Sequence, residues 1–535
     1  MSQAKSAVDH GARIRLAALG ALWALFAVTF AICRARTGGT FIYPLDDSYI
    51  HLALARTISE HGIYGVTPYE FTPTSSSIVW PLLLVGARLL STSDLVPLLL
   101  NASLASALVL VVDRTLEREG YRGKGRLLGC AGILFAIPIV PLVFIGMEHT
   151  LHVVAVILLV QACVAALADD GNEEDETDKD DKGDKDKEER SPNRATATHV
   201  ARVAIFASLA MGARYETLFV VAPLGVLALV RGRLGVAIAL GLGAAVPLVG
   251  YAAFSVAKGG PVFPISVLLK RNDIGVAMWL PTLGRRLIEN PHLLALLTLL
   301  SLDYVETRAR GIGHRRRSML LVAAGALVLH TLFAQTGWLF RYEAYVVALA
   351  LVALSGSLIE HRSRPLRLLL PLALALLPVF VRGMGGLRAV PKASANIYEQ
   401  QVQMARFLAQ YYRGGRVVVQ DIGAVSYWAD VRIVDLIGLG SLDVATLQLK
   451  GALDGAAIER LTRDASIAIV DEGYTPPPHW RKVGLWRNSQ NTVCRDDAVS
   501  LYVIHADEEA RLTASLREFS PQLPAGIEQS GPYTR

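Results

Sequence analysis

Apolar residues over the first 384 positions fall in long runs. The runs at 16–33, 94–113, 127–146, 149–168, 200–213, 215–230, 234–256, 291–305, 318–336, 342–359 and 366–383 each predict a membrane-crossing helix. About 20 apolar residues span a bilayer, and somewhat fewer suffice where it thins. From about Gly385 the pattern changes. Short β-branched runs, "RVVVQDIGAV", "RIVDLIGL", "ASIAIVDEG" and "LYVIHAD", alternate with the helix-like stretches "YEQQVQMARFLAQYYR" and "GAAIERLTRD". That alternation predicts a soluble α/β domain. The expected division is a transmembrane module over 1–384 and an α/β domain over 385–535. Within the latter, "DIGAVSYWADVRIVDL" reads as a strand–turn–strand framework with a structural role.

One further apolar run, "SIVWPLLLVGARLL" at 77–90, decides the sidedness of all that follows. If it crossed, the loop "DRTLEREGYRGKGR" with Arg114, Arg118, Arg122, Lys124 and Arg126 would lie outside, against the positive-inside rule. If it lies along the outer membrane surface, that loop is cytoplasmic. So are "VRGRLG" near 231, "RARGIGHRRRS" near 308 and "EHRSRPLR" near 360. The second assignment satisfies every loop. It gives about eleven spans, an inner N-terminus and an outer C-terminus. The first run follows Arg13 and Arg15, and "CRARTGG" is a poor cleavage site, so it reads as an uncleaved anchor. The low-complexity stretch that begins "DDGNEEDETDKDDKGDKDKEER" predicts a disordered acidic cytoplasmic loop over 169–199.

Composition agrees with this class. The 535 residues are 52% hydrophobic and only 19% charged, with a mean hydropathy of +0.39, which excludes an ordinary soluble protein. The pI of about 9.1 does not signal nucleic acid, because the basic residues sit in short clusters between apolar runs. Cys33, Cys130 and Cys163 lie inside apolar runs and Cys494 stands apart, so neither a disulfide framework nor a zinc spacing exists.

With the topology set, polar and ionisable residues of five segments collect at the outer face. They are Asp46 and Asp47; Glu148 in "IGMEHTLHVV"; Arg214 and Glu216 in "GARYETL"; Lys270 and Arg271 after "GGPVFPISVLL"; and Trp338, Arg341, Tyr342 and Glu343 in "TGWLFRYEAY". Such residues are costly near a bilayer and mark functional cavities. His149 and His152 read as polar packing residues, not metal ligands. The acidic pair opens an amphipathic helix marked by Ile50, Leu54 and Ile58 and ending near Gly62. An N-cap role explains one aspartate. It does not explain two, because neighbours on a helix diverge by about 100°. The pair therefore predicts one capping carboxylate and one facing the cavity. An ionised carboxylate can act as general base toward a hydroxyl, and Lys and Arg beside it can hold a phosphate. Together they suggest transfer of a group from a lipid phosphate to a hydroxyl.

The segments "DDSYIHLALARTISEHG", "FTPTSSSIVWPLLL", "GMEHTL" and "VVVQDIGAVSYWADVRIVDLIGLGS", in that order, resemble the GT-C superfamily of polyprenyl-phosphate-sugar-dependent glycosyltransferases. That superfamily includes the protein O-mannosyltransferases. The nearer likeness is to the bacterial branch of terminal arabinofuranosyltransferases. The resemblance covers most of the chain except the acidic insert and the C-terminal tail. It implies a multi-pass enzyme of the bacterial inner (cytoplasmic) membrane with an extracytoplasmic C-terminal domain that binds acceptor glycan or shapes the cavity. It implies inverting transfer of a hexose or pentose to a hydroxyl of an envelope glycan, lipid or protein. It implies that an aspartate of the Asp46–Asp47 pair serves as general base, and Glu148, Arg214, Glu216, Lys270, Arg271, Trp338, Arg341 and Tyr342 are expected to line the substrate site. It leaves open whether a divalent metal, Mg or Mn, takes part. The alternative reading is a transporter or flippase of lipid-linked sugars. That class favours internal repeats and mid-membrane charges, whereas the charges here gather at one end. A non-catalytic envelope scaffold is a third reading, which an altered acidic pair would favour.

Overall fold

The protein is described here by a computed structural model covering residues 2–168, 192–270, 275–360 and 366–534. The helices of its first part are α1 (Ser2–Arg36), α2 (Asp47–His61), α3 (Val79–Arg88), α4 (Val96–Arg118), α5 (Gly123–Ala136), α6 (Ile139–Phe144), α7 (His149–Ala168) and α8 (Pro192–Ala213). They continue as α9 (Leu218–Val230), α10 (Leu234–Ala257), α11 (Ile265–Leu269), α12 (Trp279–Glu289), α13 (Pro291–Ala309), α14 (His314–Phe333), α15 (Ala344–Glu360) and α16 (Leu366–Glu399). Among the described residues, six helical segments are long and apolar enough to cross a membrane: Gly11–Arg36, Val96–Arg118, His149–Ala168, Leu234–Ala257, His314–Phe333 and Ala373–Tyr411. Four shorter apolar helices accompany them, Val79–Arg88, Ala197–Ala213, Tyr215–Val230 and Ala344–Ser357. The chain is a multi-pass membrane protein.

The described helices do not by themselves confirm the expected count of about eleven spans. The 127–146 run is divided into α5 and α6 at Pro138, a residue with no N–H to continue a helical ladder. Helix α8 begins at Pro192, so residues 192–199, expected in the acidic loop, are helical and lengthen the short 200–213 run to 22 residues. The remainder of that loop, 169–191, lies outside the described residues.

Side-chain contacts fix which tips share an end. Arg15 of α1 lies 3.4 Å from Asp113 near the end of α4, and Tyr43, just after α1, donates to the Asp94 carbonyl just before α4 at 2.7 Å. The chain therefore leaves one end in α1, returns to it in α4, and spends residues 45–93 at the far end. Helix α3, 10 residues long, rises only about 15 Å, half a hydrocarbon core. It packs on α2 and α8. The basic tips gather where α1 begins: Arg126 pairs with Asp113, Tyr121 donates to the Ser355 carbonyl, and Arg231 to Ser318. Helix α7 runs through the middle, packed by α4, α8, α14 and α15. Its sequence is apolar on every face, as a helix enclosed all round must be, and it brings Glu148 and His149 to the end opposite the basic tips.

Helix α16 runs unbroken through 384/385, where the composition changes, and ends at Glu399. After α17 (Gln401–Tyr411) comes a six-stranded sheet of β1 (Arg416–Val419), β2 (Arg432–Asp435), β3 (Ile467–Asp471), β4 (Arg481–Arg487), β5 (Ala498–Val503) and β6 (Glu528–Ser530), in the order β2-β1-β3-β5-β4-β6. Strand β1 pairs in parallel with both β2 and β3, whereas β3–β5, β5–β4 and β4–β6 are antiparallel. The segment expected to be strand–turn–strand contains a helix, α18 (Gly423–Trp428), because two parallel strands need a crossover. The last helix is Glu509–Phe519.

The four native cysteines are buried, so single exposed cysteines can report sidedness. Lys124→Cys at the basic end and Arg413→Cys beside the sheet are expected to label with a membrane-impermeant maleimide from opposite sides of sealed vesicles. Labelling of both from one side would contradict the fold's two-ended arrangement.

Candidate functional site

Asp46 and Asp47 begin α2 and diverge as adjacent helical residues must. Asp46 stands at the N-cap position but makes no capping bond to its own helix, which corrects the expectation of a cap. Its carboxylate instead accepts the backbone N–H groups of Gly423 at 2.6 Å and Ala424 at 2.8 Å. It thereby closes the start of α18 in the C-terminal domain. Glycine is required there: a Cβ on Gly423 would lie 2.0 Å from the Asp46 carbonyl oxygen.

Asp47 turns the other way, into the membrane module. Arg341 donates to it at 2.5 Å, and also to the Tyr342 hydroxyl at 3.0 Å and the Met147 sulfur at 2.9 Å. Burial pushes the Asp47 carboxyl up, but Arg341 and Lys270 outweigh it and hold its pKa down to about 2. One helical turn on, His51 shares this face. Its Nε2 lies 3.5 Å from Glu148, and burial lowers its pKa, leaving a neutral ring. Glu148 in turn accepts from Arg214 at 2.5 Å, and Arg214 donates to both oxygens of Glu216 at 2.6 and 3.1 Å.

Tyr342 is the hub of the cations. Its ring has Arg341 at 4.9 Å, Lys270 at 5.6 Å and Arg214 at 5.7 Å, and its hydroxyl accepts from Lys270 at 3.4 Å. A left-handed turn delivers Arg341 and Tyr342 here: Trp338, Leu339 and Phe340 have φ of 49°, 57° and 61°. Such backbone costs about 1–2 kcal/mol per residue. The turn is braced by Glu343, which accepts from the Gly337 N–H at 2.9 Å and from Arg382 at 3.0 Å, while Arg382 also donates to the Phe340 carbonyl at 2.6 Å.

Three adjoining spaces surround these groups. A pocket of about 350 Å³ is walled by Leu218, Phe219, Phe263 and Phe333 and ends at Arg214, Ser266, Lys270 and Tyr342. Leu218 and Phe263 are exposed. Those four terminal residues, with Asp47, His51, Ser76 and Arg341, also line a narrow middle space. Beyond Asp47 lies an acid chamber of about 110 Å³, formed by Asp46, Asp47 and Trp338 with Gln401, Asp421 and Arg495 of the following domain. Asp421 follows β1, at the carboxyl end of the parallel strands and at the point where the chain departs to either side of β1, the usual ligand crevice of such sheets. Gln401 donates to it at 2.7 Å. Burial, with Asp421 nearby, pushes Asp46 upward, and burial likewise raises Asp421. The pair retains a proton to a higher pH than a free carboxylate. Among the described residues, no group of three or more His, Cys, Asp or Glu side chains is arranged to hold a metal ion.

The structure thus brings together Asp46, Asp47, Glu148, Arg214, Glu216, Lys270, Trp338, Arg341 and Tyr342. Arg271 lies outside the described residues. Sequence reasoning passed over His51, although its i+4 spacing from Asp47 was readable. It also passed over Ser76 and Ser266. The "DIG" segment, expected to be structural only, supplies Asp421 and the two amides that hold Asp46.

Residues 395–502 match a family described as a domain of unknown function (DUF8728). No curated protein matches. Among solved structures, the chain is similar to ArnT from Cupriavidus metallidurans bound to undecaprenyl phosphate, at 13% identity and TM-score 0.53, over 91% of this chain and 98% of that one. It is also similar to arabinofuranosyltransferase AftD from Mycobacteria, at 15% identity and TM-score 0.42, over 91% of this chain and 41% of that one. The likeness to ArnT shows a shared fold, the GT-C fold that the sequence resembles.

Two variants test the junction. Gly423→Ala is expected to push α18 off Asp46 and cost about 1–3 kcal/mol of stability, read as a lower Tm of the detergent-solubilised protein. Because the Asp46–Asp421 pair is raised in the folded state, its stabilising contribution is complete below the unfolded value of about 4 and falls as pH rises. Asp421→Asn is therefore expected to flatten the decline of Tm between about pH 4 and about pH 8. An unchanged slope would contradict the shared proton. Asp47, held low, adds no slope in that range; its contribution is lost only as pH falls toward about 2.

Proposed function

We propose that this protein is a membrane glycosyltransferase that moves a sugar from a polyprenyl-phosphate donor to an acceptor hydroxyl. The observation that carries this reading is Lys270. Arg214 is matched by two carboxylates and Arg341 by Asp47, whereas Lys270 has no ion pair among the described residues and stands where the apolar pocket meets the middle space. A cation at the end of an apolar pocket bordered by the exposed apolar side chains Leu218 and Phe263 suits an anion carried on a hydrocarbon chain. Ser266, whose buried hydroxyl has no protein partner, adds a donor. The ArnT structure with the shared fold holds undecaprenyl phosphate, which agrees with this reading.

In the proposed step, the acceptor oxygen enters from the acid chamber and attacks the anomeric carbon. The bond from that carbon to the phosphate oxygen breaks with its electron pair leaving on the phosphate, and configuration inverts. Asp47 lies on the boundary of the two spaces and takes the hydroxyl proton. Asp46 is committed to the Gly423 and Ala424 amides and supports the chamber. An Asp47 held near pKa 2 is a weak base. A donor phosphate beside Lys270 and Arg341 draws on the same positive charge, so its arrival raises Asp47 toward the strength a general base needs. Base strength then depends on donor occupancy. The reading includes an inner bacterial membrane, a cytoplasmic N-terminus and an outward-facing α/β domain, supported by the clustering of basic tips opposite the site.

Lys270→Ala is expected to weaken use of a polyprenyl-phospho-sugar about ten- to a hundredfold, the effect of one lost charge-assisted contact. Asp47→Asn is expected to lower kcat about 100-fold or more, while Asp46→Asn mainly lowers Tm. Purified protein that used nucleotide sugars efficiently and ignored lipid-phosphate donors would sink the proposal.

A further inference from the structure

On the far side of α17 from the acid chamber lies a separate groove of about 650 Å³. It runs between the loop after α1, the ends of α17 and α18, and the close of the C-terminal helix. Two half-buried aromatic faces, Phe41 and Trp428, border it. Both are held by packing: Phe41 stacks on Phe30 at 5.1 Å, and Trp428 lies 4.5 Å from Tyr49. Three amide side chains, Gln403, Gln410 and Gln522, face the same space, with one carboxylate, Asp94, and one guanidinium, Arg406. Gln403 is buried. Its nitrogen donates to the Tyr398 carbonyl at 2.8 Å, and its oxygen has no protein partner.

This is an unusual lining for a membrane-side cleft. The two charges cancel, so a phosphate or polyanion finds no excess cation. A hydrocarbon chain would leave the Gln403 oxygen unpaired and strip water from the exposed amides of Gln410 and Gln522, at a desolvation cost. A pyranose or furanose ring suits both halves: its C–H face covers an aromatic ring, and its hydroxyls each donate and accept, as amides do. The volume falls within the range of ligand pockets, roughly 300–1,000 Å³. Fixed aromatic walls reduce the entropy lost on binding.

We infer that this groove binds a neutral glycan chain, the body of the acceptor whose terminal hydroxyl reacts in the acid chamber. The chemical class comes from the groove; its identification as acceptor rests on the transferase reading above. Helix α17 links the two places. Val402, Arg406, Ala409 and Gln410 follow i, i+4, i+7, i+8 spacing and face the groove, while Gln401 turns to Asp421. The acceptor is accordingly a glycan in preference to a protein or a simple lipid.

The test uses the full-length protein in lipid nanodiscs. Neutral linear oligosaccharides of two to six pentose or hexose units are titrated by saturation-transfer NMR and tryptophan fluorescence, with inorganic phosphate and polyprenyl phosphate run as separate ligands. At least one saccharide series is expected to bind. Binding should weaken about tenfold or more in Trp428→Ala and in the Gln410→Ala/Gln522→Ala double variant, whose exposed side chains leave the fold intact. Absence of saccharide binding, or undiminished binding by the folded double variant, would overturn the inference. Saccharide binding that the variants abolish, in a protein that neither binds lipid phosphate nor transfers sugar, would uphold the groove and defeat the transferase reading. Lipid-donor use with no saccharide binding would do the reverse.

Discussion

Two carboxylates on consecutive residues at the start of a helix cannot face the same way. Asp46 and Asp47 use that divergence to join two structures of different kinds. One anion is spent on the amides of α18, the other on Arg341 at the mouth of the helical bundle. Without the first, the α/β domain would lose one of its polar contacts with the bundle, beside those of Arg56, Thr74 and Asp94. Without the second, Arg341 would be a buried cation with no carboxylate partner, at a cost of about 3–5 kcal/mol. The acid chamber exists because both are satisfied from opposite sides of one backbone turn.

Around this junction the remaining charges form a graded series. Arg214, deep against α7, is matched by Glu148 and Glu216; Arg341 is matched once; Lys270, at the end of the apolar pocket beside Arg214, has no carboxylate pair among the described residues. Paired charges fix geometry, because moving either partner strands the other in a low dielectric. The unmatched cation is the one that gains from an incoming anion. The strained turn at 338–340 is held by Glu343 and Arg382 so that Arg341 and Tyr342 meet α2.

The α/β domain contributes through topology. A mixed sheet whose parallel half ends in Gln420, Asp421 and the α18 amides presents its carboxyl edge to the bundle. The antiparallel half lies farther along the sheet and completes its core. Helix α17, entered directly from the long α16, presents one face to the acid chamber and another to the aromatic groove, so a single 11-residue helix borders two spaces of different chemistry.

Much of this was legible in the chain. Apolar runs longer than any soluble helix needs dictated membrane helices, since hydrocarbon accepts no unpaired backbone. The clustering of Arg and Lys sorted the tips, and the doubled aspartate marked the site, because one cap cannot use two acids. Sequence also singled out Glu148, Arg214, Glu216, Lys270, Trp338, Arg341 and Tyr342 by their position at apolar boundaries. It could not say that Asp46 serves another domain, that Asp421 and Gln401 wall the chamber, or that Arg214 is neutralised while Lys270 is not. Those depend on contacts between residues up to 378 positions apart, and no local period encodes which distant partner completes a hydrogen bond. Burial and side-chain direction at α8, α16 and α18 were likewise decided by packing, which overrides composition wherever a helix must cross, bend or start against a neighbour.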